Sequence, residues 1–394
     1  MQSDPVIIAS YARTPMGGFQ GILAPLKATE LGAAAVKAAV QRAGVPGDLI
    51  ERIYMGCVLP AALGQAPARQ AALGAGLPDS AQATTVNKMC GSGMQAAIMA
   101  FEALAAGAID VAVAGGMESM TNAPYALPKH RSGARIGHDR VIDTMMMDGL
   151  EDAYSPGKPM GAFAQDAADA YQFTREMQDA YALRSLERAR TAIASGAFAR
   201  EITPVAVPRR GGAIEVDTDE QPGNAKPDKI PSLKAAFAKD GTITAASSAS
   251  ISDGAAALVM TRRSIAERLG LPMVATVVAT AAHAHAPALF TTAPVFAINK
   301  LLAKAGWCVG DVDLFEVNEA FAAVAMIAAK DLDIHQDRLN VNGGATALGH
   351  PIGASGARIV ATLLAALEQR GGRQGVASLC IGGGEATAMA FQLI

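Results

Sequence analysis

The chain repeats itself once, and the repeat limits the folds open to it. AGVPGDLIERIYMG at 43–56 matches AGWCVGDVDLFEVN at 305–318: a helix end, a turn with Gly-Asp, then a strand. VNKMCGSG at 86–93, the helix after it and VAVAGGMESM at 111–120 match a later set. That set is VNGGATALGHPIGASG at 341–356, its helix and VASLCIGGGEATAM at 376–389. The parts come in the same order, which predicts two similar α/β halves about a pseudo-twofold axis. A duplication of this kind sets equivalent loops side by side. Loops at the C-terminal ends of strands are where α/β proteins form their sites.

Around the repeat the chain reads as strand alternating with helix, which predicts a mostly parallel sheet. Val6 to Ser10 is a strand. Thr29 caps a helix from Glu30 to Ala43 that Gly44 stops, and IYMGCV follows as a strand at 53–58. From about 121 to 245 prolines, charges and methionines crowd in, around one helix capped by Thr174 and closed after Ser195 by Gly196. That stretch has apolar content and a long helix, so it reads as an inserted domain packing on its own. Its basic residues (Lys129, Arg131, Arg209 and Arg210 among them) form a solvated face. Alternation resumes at Ser252, with a capping box at Ser264 and Glu267. The expected organisation is a first half at 1–120 completed by about 246–270, the insertion at 121–245, and a second half at 271–394.

With 394 residues, two or three domains are expected. A net charge of −3 without a basic block argues against nucleic acid as a partner. MQSDPVIIASYART lacks the layout of a signal peptide. The uncharged run from Leu271 to Asn299 is broken by Pro272, Pro287 and Pro294, so no membrane span is expected. Four cysteines without a C-x-x-C pair fit reduced thiols in the cytoplasm.

Four loops carry chemistry. Cys90 stands where a strand turns into a helix, with Gly91 and Gly93 beside it. The N–H ends of a helix favour a thiolate there, and the bland alternative is a packed small hydrophobe. His350, between Gly349 and Pro351, is a base or a turn residue. Cys380 is followed by Gly382, Gly383 and Gly384, a pattern that suits a backbone N–H pocket. Asn318-Glu319-Ala320-Phe321 ends another strand. Together these supply a nucleophile, a base and polar positioners. Cys57 and Cys308 read as packing residues. His283 and His285 share one strand face without a nearby carboxylate and read as surface or site-lining, not metal ligands. Gly91 to Ala96 fits G-x-G-x-x-A, but the acid that should end the next strand is missing, so dinucleotide binding is not expected.

NKMCGSGM at 87–94, NEAF at 318–321, NGGATALGHPIGASG at 342–356 and CIGGG at 380–384 together resemble the thiolases, in order and spacing, over essentially the whole chain. Within that family, the Asn-Lys before the cysteine stretch is most similar to the acetyl-CoA acetyltransferases. The resemblance implies a five-layered α-β-α-β-α core of duplicated halves with an inserted loop domain over the coenzyme A site. It implies that Cys90 carries the acyl group, that His350 accepts its proton and that Cys380 removes a proton from a second acetyl-CoA. Two oxyanion holes are implied: His350 with a water held by Asn318, and the N–H groups of Cys90 and Gly382.

Coenzyme A contacts are implied at Met160 and Phe321 and at the 248–250 segment, where Ala249 stands at the family's serine and Ser248 or Ser250 substitutes for it. The chain also departs from the short-chain pattern at Pro159, before Met160-Gly161, and at HAHAPALFTTAP, 283–294. The expected activity is reversible condensation of two acetyl-CoA to acetoacetyl-CoA; the alternative is a broader 3-ketoacyl-CoA thiolase. Asn318 and Cys380 speak against a ketoacyl synthase. The presence of Cys90, His350 and Cys380 together speaks against a non-catalytic binding relative. Acyl-CoA is expected as substrate, with no permanently bound cofactor, no metal, no nucleic acid and no membrane, in a homotetramer.

Overall fold

A computed structural model describes residues 4–394. The first half runs β1 (Val6–Arg13), α1 (Ala28–Ala43), β2 (Arg52–Gly56), β3 (Gln82–Val86), α2 (Ser92–Ala105) and β4 (Val111–Ser119). An insertion follows, with helices α3 (Met160–Ala170) and α4 (Arg175–Ala194), before β5 (Ser252–Arg262) completes the half. The second half runs β6 (Ala275–Ala284), α5 (Ala293–Ala305), β7 (Leu314–Val317), α6 (Ala322–Asp331), α7 (Ser355–Arg370), β8 (Gln374–Ile381) and β9 (Glu385–Leu393).

The nine strands form one path, β3-β2-β4-β5-β1-β6-β9-β8-β7. The halves meet edge to edge at β1 and β6 through only two register pairs, Ile7 with Thr276 and Ile8 with Ala275. Between the half-sheets lie α2 and α7, in a cluster that takes Ile8, Ala114 and Leu258 from one sheet and Leu379, Met389 and Phe391 from the other. Outside the first sheet pack α1 and its neighbours, and outside the second α5 and α6. Five layers result. Thirteen consecutive residues of α7, Ser355 to Leu367, are buried, as expected of a helix covered on every side.

The duplication is visible in the strand order. β1, β2, β4 and β5 have β6, β7, β8 and β9 as counterparts. The partner of β3 is reduced to a single parallel bridge between Phe315 and Leu339. After β8 the chain reverses through Gly382-Gly383-Gly384, with φ of 95° and 86° at the last two. At the equivalent point after β4 the first half opens into the insertion. Buried Arg13 pins that insertion to β1: Nη1 and Nη2 donate to Asp219 at 2.7 and 2.8 Å, and Nε donates to Glu201 at 2.7 Å. The insertion's own apolar cluster also takes in Ala347 and Leu348 of the second half, so it packs on the core.

Three expectations need correction. The sheet is mixed: only β2–β3, β2–β4 and β7–β8 are parallel, because β5 and β9 return antiparallel beside β4 and β8. Thr29 lies within α1; the cap is Lys27, whose N–H donates to Glu30 Oε2 at 2.8 Å. Ser264 forms no capping box, because its N–H and hydroxyl both donate to Asp4, at 3.0 and 2.6 Å. The helix over 175–194 does start at Thr174, whose Oγ1 accepts from Met177 N–H.

The halves approach most closely at the Gly353 carbonyl. A Cβ built on Gly116, Gly56 or Gly93 would stand 1.9, 2.5 or 3.0 Å from that oxygen. Gly116→Ala is therefore expected to cost about 1–3 kcal/mol. A calorimetric Tm several degrees below that of the unsubstituted protein checks this.

Candidate active site

Cys90 sits on a constrained turn between β3 and α2. Met89 takes a left-handed φ of 47°, a conformation that costs free energy unless its surroundings enforce it. Three bonds enforce it here. Met89 N–H donates to Asn87 Oδ1 at 3.1 Å, Lys88 N–H to Ser92 Oγ at 2.8 Å, and the Ser92 hydroxyl to Met89 O at 2.6 Å. Gly91 lets the turn lie against β8, where any Cβ would stand 2.3 Å from Ile381 Cδ1.

The N–H groups of Gly382 and of Cys90 itself face the Cys90 sulfur, but desolvation outweighs them and pushes the thiol up to about 11. The sequence-based expectation of a helix-stabilised thiolate is therefore corrected. In this half-buried position a thiolate loses more hydration than two N–H dipoles return. The resting group is a thiol and needs a base.

His350 is the candidate base. It is 7% exposed, and its N–H donates to Ser250 O at 3.2 Å. Nδ1 lies 2.5 Å from Ser355 Oγ, and the Ser355 hydroxyl proton is committed to Pro351 O at 2.9 Å. The serine oxygen must then accept, which places the imidazole proton on Nδ1 and leaves the Nε2 lone pair free. Nε2 is buried with no protein partner. Burial, aided by the Arg358 charge, holds the ring down to about 3, so it is a neutral base at physiological pH.

Cys380 and Asn318 complete the group. Cys380, 1% exposed, is pushed well above the ordinary thiol range by burial and then by Cys90. Cys90 is thus near enough to Cys380 for its charge to oppose ionisation there. Asn318, at the end of β7, donates its N–H to Ser378 O at 3.0 Å and accepts from Arg358 Nη2 at 3.3 Å on Oδ1. Its Nδ2 is buried without a protein partner.

Two carboxylates that sequence reasoning passed over hold these loops. Glu319 accepts from the hydroxyls of Tyr181 (2.9 Å), Ser185 (2.7 Å) and Thr346 (2.6 Å), from Asn340 Nδ2 (2.9 Å) and from Thr346 N–H (3.1 Å). It thereby ties the insertion to the loop that leads to His350. Glu118 accepts the N–H groups of Val58 and Gly353 at 2.9 Å and of Leu59 at 3.1 Å, and burial raises it to about 7. The available signal was an acid set inside, or two residues after, a mostly apolar strand.

The residues expected to contact coenzyme A divide between two cavities. Ser248 and Ser250 line one of about 330 Å³, with Lys226, Lys229 and Thr346, between the insertion and the second half. Met160 lines another of about 550 Å³, with Met89, Tyr154, Gly382 and Gly383. Phe321 stands against Phe237 and Phe290 at ring separations of 5.8 and 6.2 Å. Ala249 borders neither cavity; its N–H donates to Ala320 O at 3.0 Å, and Ser248 bridges Phe321, zipping this segment onto the Asn318 loop. His283 and His285 lie edge to face, 4.9 Å between ring centres, with Lys300 Nζ 3.0 Å from His283 Nδ1. Among the described residues no helix is long and apolar enough to cross a membrane.

A thiol, a neutral imidazole and a second thiol, facing N–H donors at the meeting of two duplicated halves, define a cysteine acyl-transfer enzyme. Residues 6–264 match the thiolase N-terminal domain and residues 271–393 the thiolase C-terminal domain. The chain belongs to the thiolase family. It is 47% identical to acetyl-CoA acetyltransferase 1 of Arabidopsis thaliana, over 100% of this chain and 95% of that one. It is 45% identical to the acetyl-CoA acetyltransferase of Pseudomonas aeruginosa, over 98% of each. The crystal structure of the Bacillus anthracis acetyl-CoA acetyltransferase superposes with a TM-score of 0.96 at 38% identity, covering 100% of this chain and 99% of that one.

Because His350 is neutral and Cys90 is not ionised at rest, alkylation of Cys90 by iodoacetamide is expected to depend on the imidazole. In His350→Gln the rate at pH 7 falls at least about tenfold, then rises about tenfold per pH unit towards the thiol's own ionisation near 11. Mass spectrometry of the alkylated protein reads this out.

Proposed function

We propose that the protein is an acetyl-CoA C-acetyltransferase that condenses two acetyl-CoA to acetoacetyl-CoA and coenzyme A, and runs the reverse thiolysis. The observation that carries the reading is the Cys90 sulfur, faced by two N–H groups and near enough to raise Cys380; the buried neutral imidazole of His350 supports it. The names of the similar proteins support the short substrate.

The mechanism follows from the protonation states. His350 Nε2 takes the Cys90 proton as sulfur attacks the acetyl-CoA carbonyl. The oxyanion that forms is held by donors waiting in a dry site, a contribution typically worth roughly 10²–10³ in rate. The C–S bond to coenzyme A breaks, and Cys380 gives its proton to the departing thiolate. A thiolate left on Cys380 is a strong base because its burial opposes ionisation, and it removes a methyl proton from the second acetyl-CoA. The carbanion attacks the acetyl carbon on Cys90, acetoacetyl-CoA departs, and His350 returns its proton to the Cys90 sulfur. Protons and charge balance around the cycle.

In this reading Ser248, Ser250, Met160 and Phe321 contact coenzyme A, with Lys226 and Lys229 placed for its phosphates. Coenzyme A enters only as substrate and product, without a metal. The four free cysteines fit a reducing cytoplasm, and the assembly is a homotetramer, which light scattering on the purified protein would test.

Intact-mass spectrometry after mixing with acetyl-CoA should show one acetyl group, absent in Cys90→Ser. An unsubstituted protein that stays unmodified at saturating acetyl-CoA would overturn the reading. Cys380→Ser should still be acetylated, yet lose condensation by roughly 10²–10⁴-fold and fail to exchange the acetyl methyl protons with deuterated water.

A further inference from the structure

Arg358 on α7 is 0% exposed and poorly satisfied. Its Nη1 lies 3.7 Å from Glu316 Oε2, beyond hydrogen-bonding distance, and Nε and Nη1 have no hydrogen-bond partner. Glu316 on β7 is 2% exposed with Oε1 unpartnered. Burying the Arg358 charge costs several kcal/mol, and a carboxyl 3.7 Å away that is itself pushed towards its neutral form does not recover it. Fold stability therefore does not explain this pair.

Its one well-defined hydrogen bond does. Arg358 Nη2 donates to Asn318 Oδ1 at 3.3 Å. A guanidinium has five donors and no acceptor, so it can face only the oxygen of an amide. Arg358 thus settles which way the Asn318 amide is turned, and in a planar amide the nitrogen then points elsewhere. That nitrogen is the buried donor without a protein partner. With a neutral side chain at 358 the two amide orientations would lie close in energy, and half of the molecules would present an acceptor where an oxyanion develops.

We propose that Arg358, backed by Glu316, is a positioning residue that locks the Asn318 amide with Nδ2 toward the reacting carbonyl. The inference rests on the thiolase reaction set out above. The charged groups facing Arg358 are Glu316, Glu201, Glu319 and Arg13, and its own charge reaches His350, helping to keep the imidazole neutral. Burial raises Glu316 to about 8 even beside Arg358, so it is largely protonated at pH 7 and leaves no bare carboxylate when the arginine is removed.

The test is a double-mutant cycle of R358M and N318A, with R358K as the conservative variant. Expected results are a Tm for R358M within a few degrees of the unsubstituted protein, kcat lowered by about 10²-fold and KM little changed. N318A should lose about as much, and R358M in the N318A background should lose nothing further. R358K, which keeps a donor for Oδ1, should recover most of the rate. The acid limb of the kcat profile of R358M should move to higher pH, since removing a positive charge raises His350. Additive losses, or equal impairment of R358K and R358M, would overturn the positioning role. So would a lowered Tm with full kcat in the folded fraction. Should R358M not fold, the cycle is run with R358L, expected to lower kcat in the parent protein and to be silent in N318A. An unsubstituted protein that acetyl-CoA fails to acetylate at Cys90 overturns both readings, whereas additivity in an acetylating enzyme overturns this one alone.

Discussion

One carbonyl group, that of Gly353, sets the distance between the two halves. It lies against Gly116, Gly56 and Gly93, and each would drive a Cβ into it. Backbone against backbone is the closest packing a protein can make, and here it brings the start of α2 within reach of the loop that carries His350. Glu118 fastens the same contact by accepting the Gly353 N–H together with two N–H groups of the loop that follows β2. The proposed reaction depends on this approach, since it draws its nucleophile, Cys90, from one half and its base, His350, from the other.

Burial then decides the chemistry. The same desolvation that raises both thiols lowers the imidazole, because each group is pushed towards its neutral form. The resting site holds two thiols and a free base and spends no stability on charges it does not need until substrate arrives. Fixed donors replace water: Gly382 and Cys90 N–H beside the sulfur, and the Asn318 amide.

Much of this was legible in the sequence, for identifiable reasons. The repeat exposed the two halves because matching turns and glycines survive in both, and it aligned the Cys90 loop with the His350 loop. What escaped it depended on partners far along the chain. Ser264 looks like a cap, but Asp4 takes both of its polar groups. Thr29 has the right residue type, but Glu30 bonds to Lys27. The directions of β5 and β9 follow from how each half closes, not from strand composition. The state of Cys90 was misjudged because a helix terminus is local and visible, whereas desolvation is produced by the whole fold. Glu319 lay within NEAF with no role read for it, and Glu118 and Arg358 were given none either, being charged residues whose meaning comes from burial.

The seam between β1 and β6, two register pairs long, carries a further consequence. The halves are joined by little sheet and by much helix packing, and the reacting groups straddle that join. Catalytic competence is thus a ruler for the gap. In the proposed mechanism, a slip of an ångström there would misalign Cys90 and His350 while every strand kept its own hydrogen bonds. Mild denaturants should silence the protein before spectroscopy registers any loss of secondary structure.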